Sequence, residues 1–115
     1  MKWTQGRQET GYLKHLIYSF SAGRLGADAF LLKFPEGCEI PEHQDSVNGA
    51  RHYRLNLVIR HAESGGDFLC DDPILDFPRL KLFRPDRSPH AVTKVAEGTR
   101  YVLSFGIALK SATSE

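Results

Sequence analysis

His43-Gln44-Asp45 is the stretch of this chain whose residue types and spacing could do chemistry. On an extended backbone, residues i and i+2 point to the same side, so the imidazole and the carboxylate can converge while Gln44 faces away. Two ligands make a poor metal site, and His90 is the candidate third. Two histidines and one carboxylate on one face of an ion leave its other positions open, the arrangement that suits a non-haem Fe(II) centre. Arg100 adds a guanidinium, which grips a distant carboxylate through two parallel hydrogen bonds. Each piece alone is weak. An HxD tripeptide is usually surface decoration, His90 after Ser88-Pro89 reads equally as a loop histidine, and Arg100 as half of a surface ion pair. The order of the pieces along the chain carries the inference.

Something must hold these side chains together. Glycine and proline punctuate the sequence at short intervals, with runs of branched and aromatic residues between them. Regular short strands with turn signals point to an all-β sandwich or barrel. The expected strands are Tyr12–Phe20, Ala29–Phe34, Ile40–Asp45, Tyr53–Arg60, Asp67–Cys70, Leu80–Phe83, His90–Val95 and Arg100–Leu109. About eight strands close a small barrel or fill a two-sheet jelly roll. Leu13–Phe20 reads as a strand or a short helix. Tyr53–Arg60 alternates most cleanly, with Tyr53, Leu55, Leu57 and Ile59 on an apolar face and Arg54, Asn56, Val58 and Arg60 on a mixed one. The mixed face either meets solvent or lines a polar cavity. A hairpin over Ala96-Glu97-Gly98 would set His90 opposite Ser104 and put His90, Arg100 and Ser104 on one face. Arg100 would then attach about 13 Å along the strand from His90.

The chain has 115 residues, enough for one domain and too few for two ordinary ones. Its 41% hydrophobic and 25% charged residues are those of a soluble globular protein. No apolar run reaches membrane-spanning length and the first residues lack a secretory core, so the expected location is the cytoplasm. A net charge of +1 and the absence of interleaved aromatics argue against nucleic acid as partner. Cys38 and Cys70 are expected as reduced, small buried hydrophobes. His15, His52 and His61 read as surface or core histidines, Trp3 as a packing anchor, and Arg84, Asp86 and Arg87 as a charged turn that orients His90.

From Leu32 to Leu109 the chain resembles the 2-oxoglutarate/Fe(II)-dependent oxygenase superfamily, nearest to its prolyl-4-hydroxylase-like branch. The matching stretches are Phe34-Pro35-Glu36-Gly37 with His43-Gln44-Asp45, then Ser64-Gly65-Gly66-Asp67-Phe68 and Leu82-Phe83-Arg84-Pro85-Asp86. They continue through His90-Ala91-Val92-Thr93-Lys94-Val95 and Gly98-Thr99-Arg100-Tyr101-Val102-Leu103-Ser104. The resemblance implies a double-stranded β-helix, the jelly roll of cupin-like barrels, with a covering segment over residues 1–28, a core over 29–109 and a frayed tail over 110–115. It also implies Fe(II) held by His43, Asp45 and His90, with Arg100 on the far carboxylate of 2-oxoglutarate and Ser104 assisting. Relatives often place tyrosines where Val58 and Phe34 stand, and Asn56 is the candidate replacement contact.

The activity so implied is a dioxygenase that uses O2 and 2-oxoglutarate to hydroxylate a C–H bond of a peptide residue or small metabolite. Succinate and CO2 are its co-products, ascorbate is an optional reductant, and a homo-oligomer stays open. Two rivals use the same frame. One is a cupin-like zinc or nickel isomerase or binding module, with His61 as a fourth ligand. The other is a non-catalytic jelly-roll interaction module.

Overall fold

Alternating branched and aromatic residues favour the pleated, half-buried surface of a sheet, and no segment carries a helical period long enough to compete. The computed structural model describes residues 2–5, 11–45 and 50–110. Its strands are β1 (Thr4–Gln5), β2 (Leu13–Ala22), β3 (Leu25–Phe34), β4 (Ile40–His43), β5 (Ala50–Arg60) and β6 (Ser64–Gly65). They continue with β7 (Phe68–Cys70), β8 (Leu75–Asp76), β9 (Leu80–Phe83), β10 (His90–Val92), β11 (Val95–Glu97) and β12 (Arg100–Lys110). Leu80–Phe83 is present as expected and six other expected strands with one or both ends shifted, but the expected strand His90–Val95 breaks into β10 and β11, which lie in different sheets; the ambiguous stretch from Leu13 is β2. Residues 13–28, expected as cover, supply β2 and the first part of β3. Lys110 belongs to β12, and the rest of the expected tail lies outside the described residues. No helix among the described residues is long and apolar enough to cross a membrane.

Seven strands form a large antiparallel sheet in the order β1-β2-β3-β12-β5-β9-β8, and a smaller sheet runs β4-β10-β7. Among the described residues, β11 pairs with β6 alone. The last strand thus inserts between two early ones, the crossover connectivity of a jelly roll.

The expected hairpin does not form. β10 pairs with β4 and β7, whereas β12 pairs with β3 and β5, so the segment between them crosses from one sheet to the other. Gly98 turns this corner at a φ of 82°, in the left-handed region that favours glycine. His90 and Arg100 therefore stand on different walls. The pairing rule used for adjacent strands failed here because β11 finds its partner in β6.

The walls pack through Phe34, Val58 and Val102 from the large sheet against Ile40 and Val92 from the small one. Tyr12, Cys38 and Val95 fill the end of this core, and Tyr12 stacks on Phe34 with ring centroids 5.3 Å apart. The two faces of β5 resolve in favour of the cavity. Asn56 and Val58 are buried, while Leu57 and Ile59 remain 39% and 51% exposed.

Candidate metal centre

β4 and β10 run side by side with His43 opposite His90. Adjacent strands set the two imidazoles together, with ring centroids 4.3 Å apart. Asp45 lies just past the end of β4, where its backbone N–H donates to the Pro85 carbonyl at 2.7 Å. That bond returns the carboxylate to the imidazoles: Oδ1 is 3.6 Å from His43 Nε2, and Oδ2 is 3.5 Å from His90 Nε2. One ligand atom from each of the three residues lies within 4.8 Å of the others. His43, Asp45 and His90 meet as the sequence reading requires.

The imidazoles are aimed by main chain. His43 Nδ1 sits 2.9 Å from the Pro41 carbonyl oxygen and His90 Nδ1 sits 2.8 Å from that of Ser88. A carbonyl only accepts, so each Nδ1 donates and each Nε2 is the ring nitrogen turned toward Asp45. This backing is typical of metal-bound histidine. The donors converge at separations that an ion about 2.1 Å from each would bridge with small movements. The residues fit a metal.

The turn before His90 secures both halves of the site. Asp86 forms a fork with Arg84, at 2.6 Å from Oδ2 to Nη2 and 3.2 Å from Oδ1 to Nε. Burial works to raise the Asp86 carboxyl, and the Arg84 hydrogen bonds overcome it, holding the group below its ordinary value. The Asp86 carbonyl accepts from Gln44 Nε2 at 2.9 Å. Buried Ser88 accepts from the Asp72 N–H at 2.9 Å and lies 3.1 Å from Cys70 Sγ. Phe83 supports the His90 ring from 5.1 Å. The charged turn thus braces Asp45 as well as His90.

Arg100 begins β12 and is 5% exposed. Its guanidinium lies over the Phe34 ring at 5.7 Å, and Nη1 donates to the Gly66 carbonyl. Nε is buried with no hydrogen-bond partner among the described residues. Burial pushes its pKa down, and Asp67 partly restores it. The Gly65-Gly66 pair makes this approach possible, with φ values of 75° and 69°. A Cβ on Gly65 would collide with the Lys94 carbonyl oxygen, and one on Gly66 would lie 3.0 Å from Val95 Cγ2.

Further along the same wall, Ser104 donates to Asn56 Oδ1 at 2.5 Å and accepts from Arg54 Nη1 at 2.8 Å. Arg54 Nη2 reaches Asp28 Oδ1 at 2.7 Å. Asp28 is on β3 and Arg54 on β5, and between them β12 places Gly106 opposite both. A Cβ at Gly106 would fall on Arg54 Nη2, so the ion pair crosses β12 where the backbone is bare. His52 lies 3.5 Å from Arg54. Burial and Arg54 lower its pKa, with Asp28, Asp86 and Asp45 pulling it back.

A cavity of about 330 Å³ includes His43, Asp45 and His90 on one side and Arg100, Asn56 and Ser104 on the other. Asp28, His52 and Arg54 also line it. Of the two readings left open for the mixed face of β5, Arg54 takes the cavity, and His52 joins it there, whereas Arg51 is exposed. Asp28 was missed because its strand was started at Ala29, four residues late, yet it shares parity with Phe30, Leu32 and Phe34. His61, the fourth ligand of one rival reading, is exposed and lies outside the three-residue cluster.

No family model matches the chain, and no curated protein matches it. Solved structures do. KdgF from Halomonas sp. aligns over 97% of this chain and 89% of its own, with a TM-score of 0.59 at 15% identity. An RmlC-like cupin protein from Desulfovibrio desulfuricans aligns over 83% and 80%, with 0.51 at 20%. The fold is cupin-like. A chain from the complex of Rhodobacter sphaeroides SigE with the anti-sigma ChrR also aligns, over 90% of this chain and 48% of its own, with a TM-score of 0.55 at 16% identity. This chain spans about half of that one. At such identities the likeness reports architecture, and the side chains must argue the chemistry.

Proposed function

We propose that this cupin-type barrel is an Fe(II)- and 2-oxoglutarate-dependent dioxygenase that hydroxylates a C–H bond of a peptide residue or small metabolite. The observation that carries the reading is Arg100. A buried guanidinium facing a metal-competent cluster, with one carbonyl acceptor and an orphaned Nε, matches a ligand that brings a carboxylate. A 2-oxo diacid has one end for that cation and another for a metal.

His43, Asp45 and His90 would hold the iron, which when bound supplies the activation of oxygen. Arg100 grips the far carboxylate, with Ser104 and Asn56 offering polar contacts on the same wall. Phe34, Phe68 and Phe83 border the cavity and give it apolar surface beside the polar groups. No side chain has to act as acid or base.

The test is succinate formation from 2-oxoglutarate with Fe(II), oxygen and ascorbate, followed by Arg100→Ala. Turnover should fall at least ~100-fold, the scale of losing a buried charge-assisted pair, while metal affinity stays nearly intact. Equal turnover in the variant, or no succinate from the wild type across varied substrates, refutes the reading.

The cupin-like likeness favours a second reading, a zinc or nickel isomerase or binding module using the same three ligands. That protein would bind metal and ignore 2-oxoglutarate. A non-catalytic interaction module would do neither chemistry.

A further inference from the structure

The charges that line the cavity do not all find partners within it. Arg54 pairs with Asp28 at 2.7 Å, and Asp45 faces the two imidazoles. On the dioxygenase proposal, Arg100 is taken by the far carboxylate of 2-oxoglutarate. Lys14 is left. It stands on β2 opposite Leu32 and lines the cavity, with its ammonium 5.1 Å from the centroid of the Phe30 ring. Among the described residues its Nζ has neither a carboxylate at ion-pair distance nor a hydrogen-bond acceptor. An aromatic face attracts a cation without neutralising it. A half-buried ammonium in a partly apolar cleft therefore offers a strong local field to an anion.

We infer that the prime substrate is a small, largely apolar acid whose carboxylate binds Lys14. The inference rests on the dioxygenase proposal for the roles of Arg100 and the metal. With neutral histidines, a divalent ion and the dianion of 2-oxoglutarate cancel, as do Asp28 and Arg54. Asp45 offsets Arg100, so Lys14 leaves the cavity with one positive charge. A monocarboxylate answers that charge. A neutral peptide segment does not, and a phosphate monoester, with close to two negative charges at pH 7, overshoots it. The surroundings of Lys14 suit an apolar body. Leu32 is its cross-strand neighbour, Phe30 lies under the ammonium, and Tyr12 and Ile40 border the same cavity. At about 330 Å³ the cavity is at the lower end of the range for small-molecule sites, which leaves room for a metabolite beside the co-substrate.

The test is calorimetric titration of protein loaded with Zn(II) in place of iron, in the presence of 2-oxoglutarate. Isovalerate, benzoate and phenylacetate are the probes, each compared with its neutral amide. The acids should bind at least ~10-fold tighter than the amides, the scale of one charge-assisted hydrogen bond. Lys14→Met keeps the aliphatic stem beside Phe30 and should erase that difference, and Lys14→Arg should restore most of it. In the wild type, the Lys14 Cε resonance should move with the acids and stay still with the amides. Equal binding of acids and amides, no saturable binding by any acid, or a preference that survives Lys14→Met overturns the proposal. Titrating 2-oxoglutarate alone into the zinc-loaded wild type and Arg100→Ala separates the two readings. If it fails to bind the wild type while the acids still depend on Lys14, the dioxygenase reading falls and the anion site stands. If it binds through Arg100 and the acids ignore Lys14, the reverse holds.

Discussion

Asp86 is not one of the three candidate ligands, yet it ties the turn from which Pro85 and Ser88 reach them, and its Oδ1 accepts from the His52 N–H of β5 at 3.4 Å. Asp86→Asn should lower metal affinity about 10-fold or more while leaving three ligands in place, as loss of such support does elsewhere; isothermal titration with Fe(II) or Co(II) would measure it. The same carboxylate contributes to acid stability. Its folded pKa is depressed, so its contribution is present above about 3.8 and is lost as pH falls through and below that value. Cys38 acts at the other end of the scale. Burial first, then Glu39, pushes its thiol up to about 11 from 9.0. Below pH 9 both folded and unfolded thiols are neutral and no stability is lost. Between about 9 and 11 the unfolded thiol ionises first, and stability should fall by up to about 3 kcal/mol. Urea melts across that window should show the slope, and Cys38→Ala should remove it.

At the scale of elements, the sequence exposed the strands and the ligands but not the partners of the strands. His43, Asp45 and His90 could be read because parity and residue type are local properties. The neighbours of β12 could not, because β3 and β5 are distant in sequence and the turn at Gly98 resembles an ordinary hairpin. Arg54 and Asp28 were hidden for a related reason: a charged residue looks the same in a strand whether its face meets water or a cavity. Gly106 shows what the register adds. Gly106→Ala should displace Arg54 from Asp28 and destabilise the chain by about 1–3 kcal/mol, the usual scale of overpacking. Gly65→Ala should cost at least as much, since its clash is with backbone at a positive φ. Chemical denaturation of the two variants would rank them.

For the whole molecule, the division of labour between walls matters. The metal-competent residues belong to the small sheet and its flanking turn, while Arg100, Asn56 and Ser104 belong to the large sheet. On the dioxygenase proposal, metal alone braces one wall and a 2-oxo acid links both. Thermal shift should therefore rise in two increments, the second worth about 2.7 kcal/mol at a hundredfold excess over Kd. Arg100→Ala should keep the first increment and lose the second.

Because His90 and Arg100 sit on facing walls, the length of acceptable diacid is gauged across a gap, like a caliper whose jaws are two sheets. A hairpin would have let a one-residue slip reset that measure. Opposed walls share a packed core, so the jaws keep their opening. Oxaloacetate should rattle and 2-oxoadipate should bind bent, and both should compete with 2-oxoglutarate more weakly than their common headgroup would suggest.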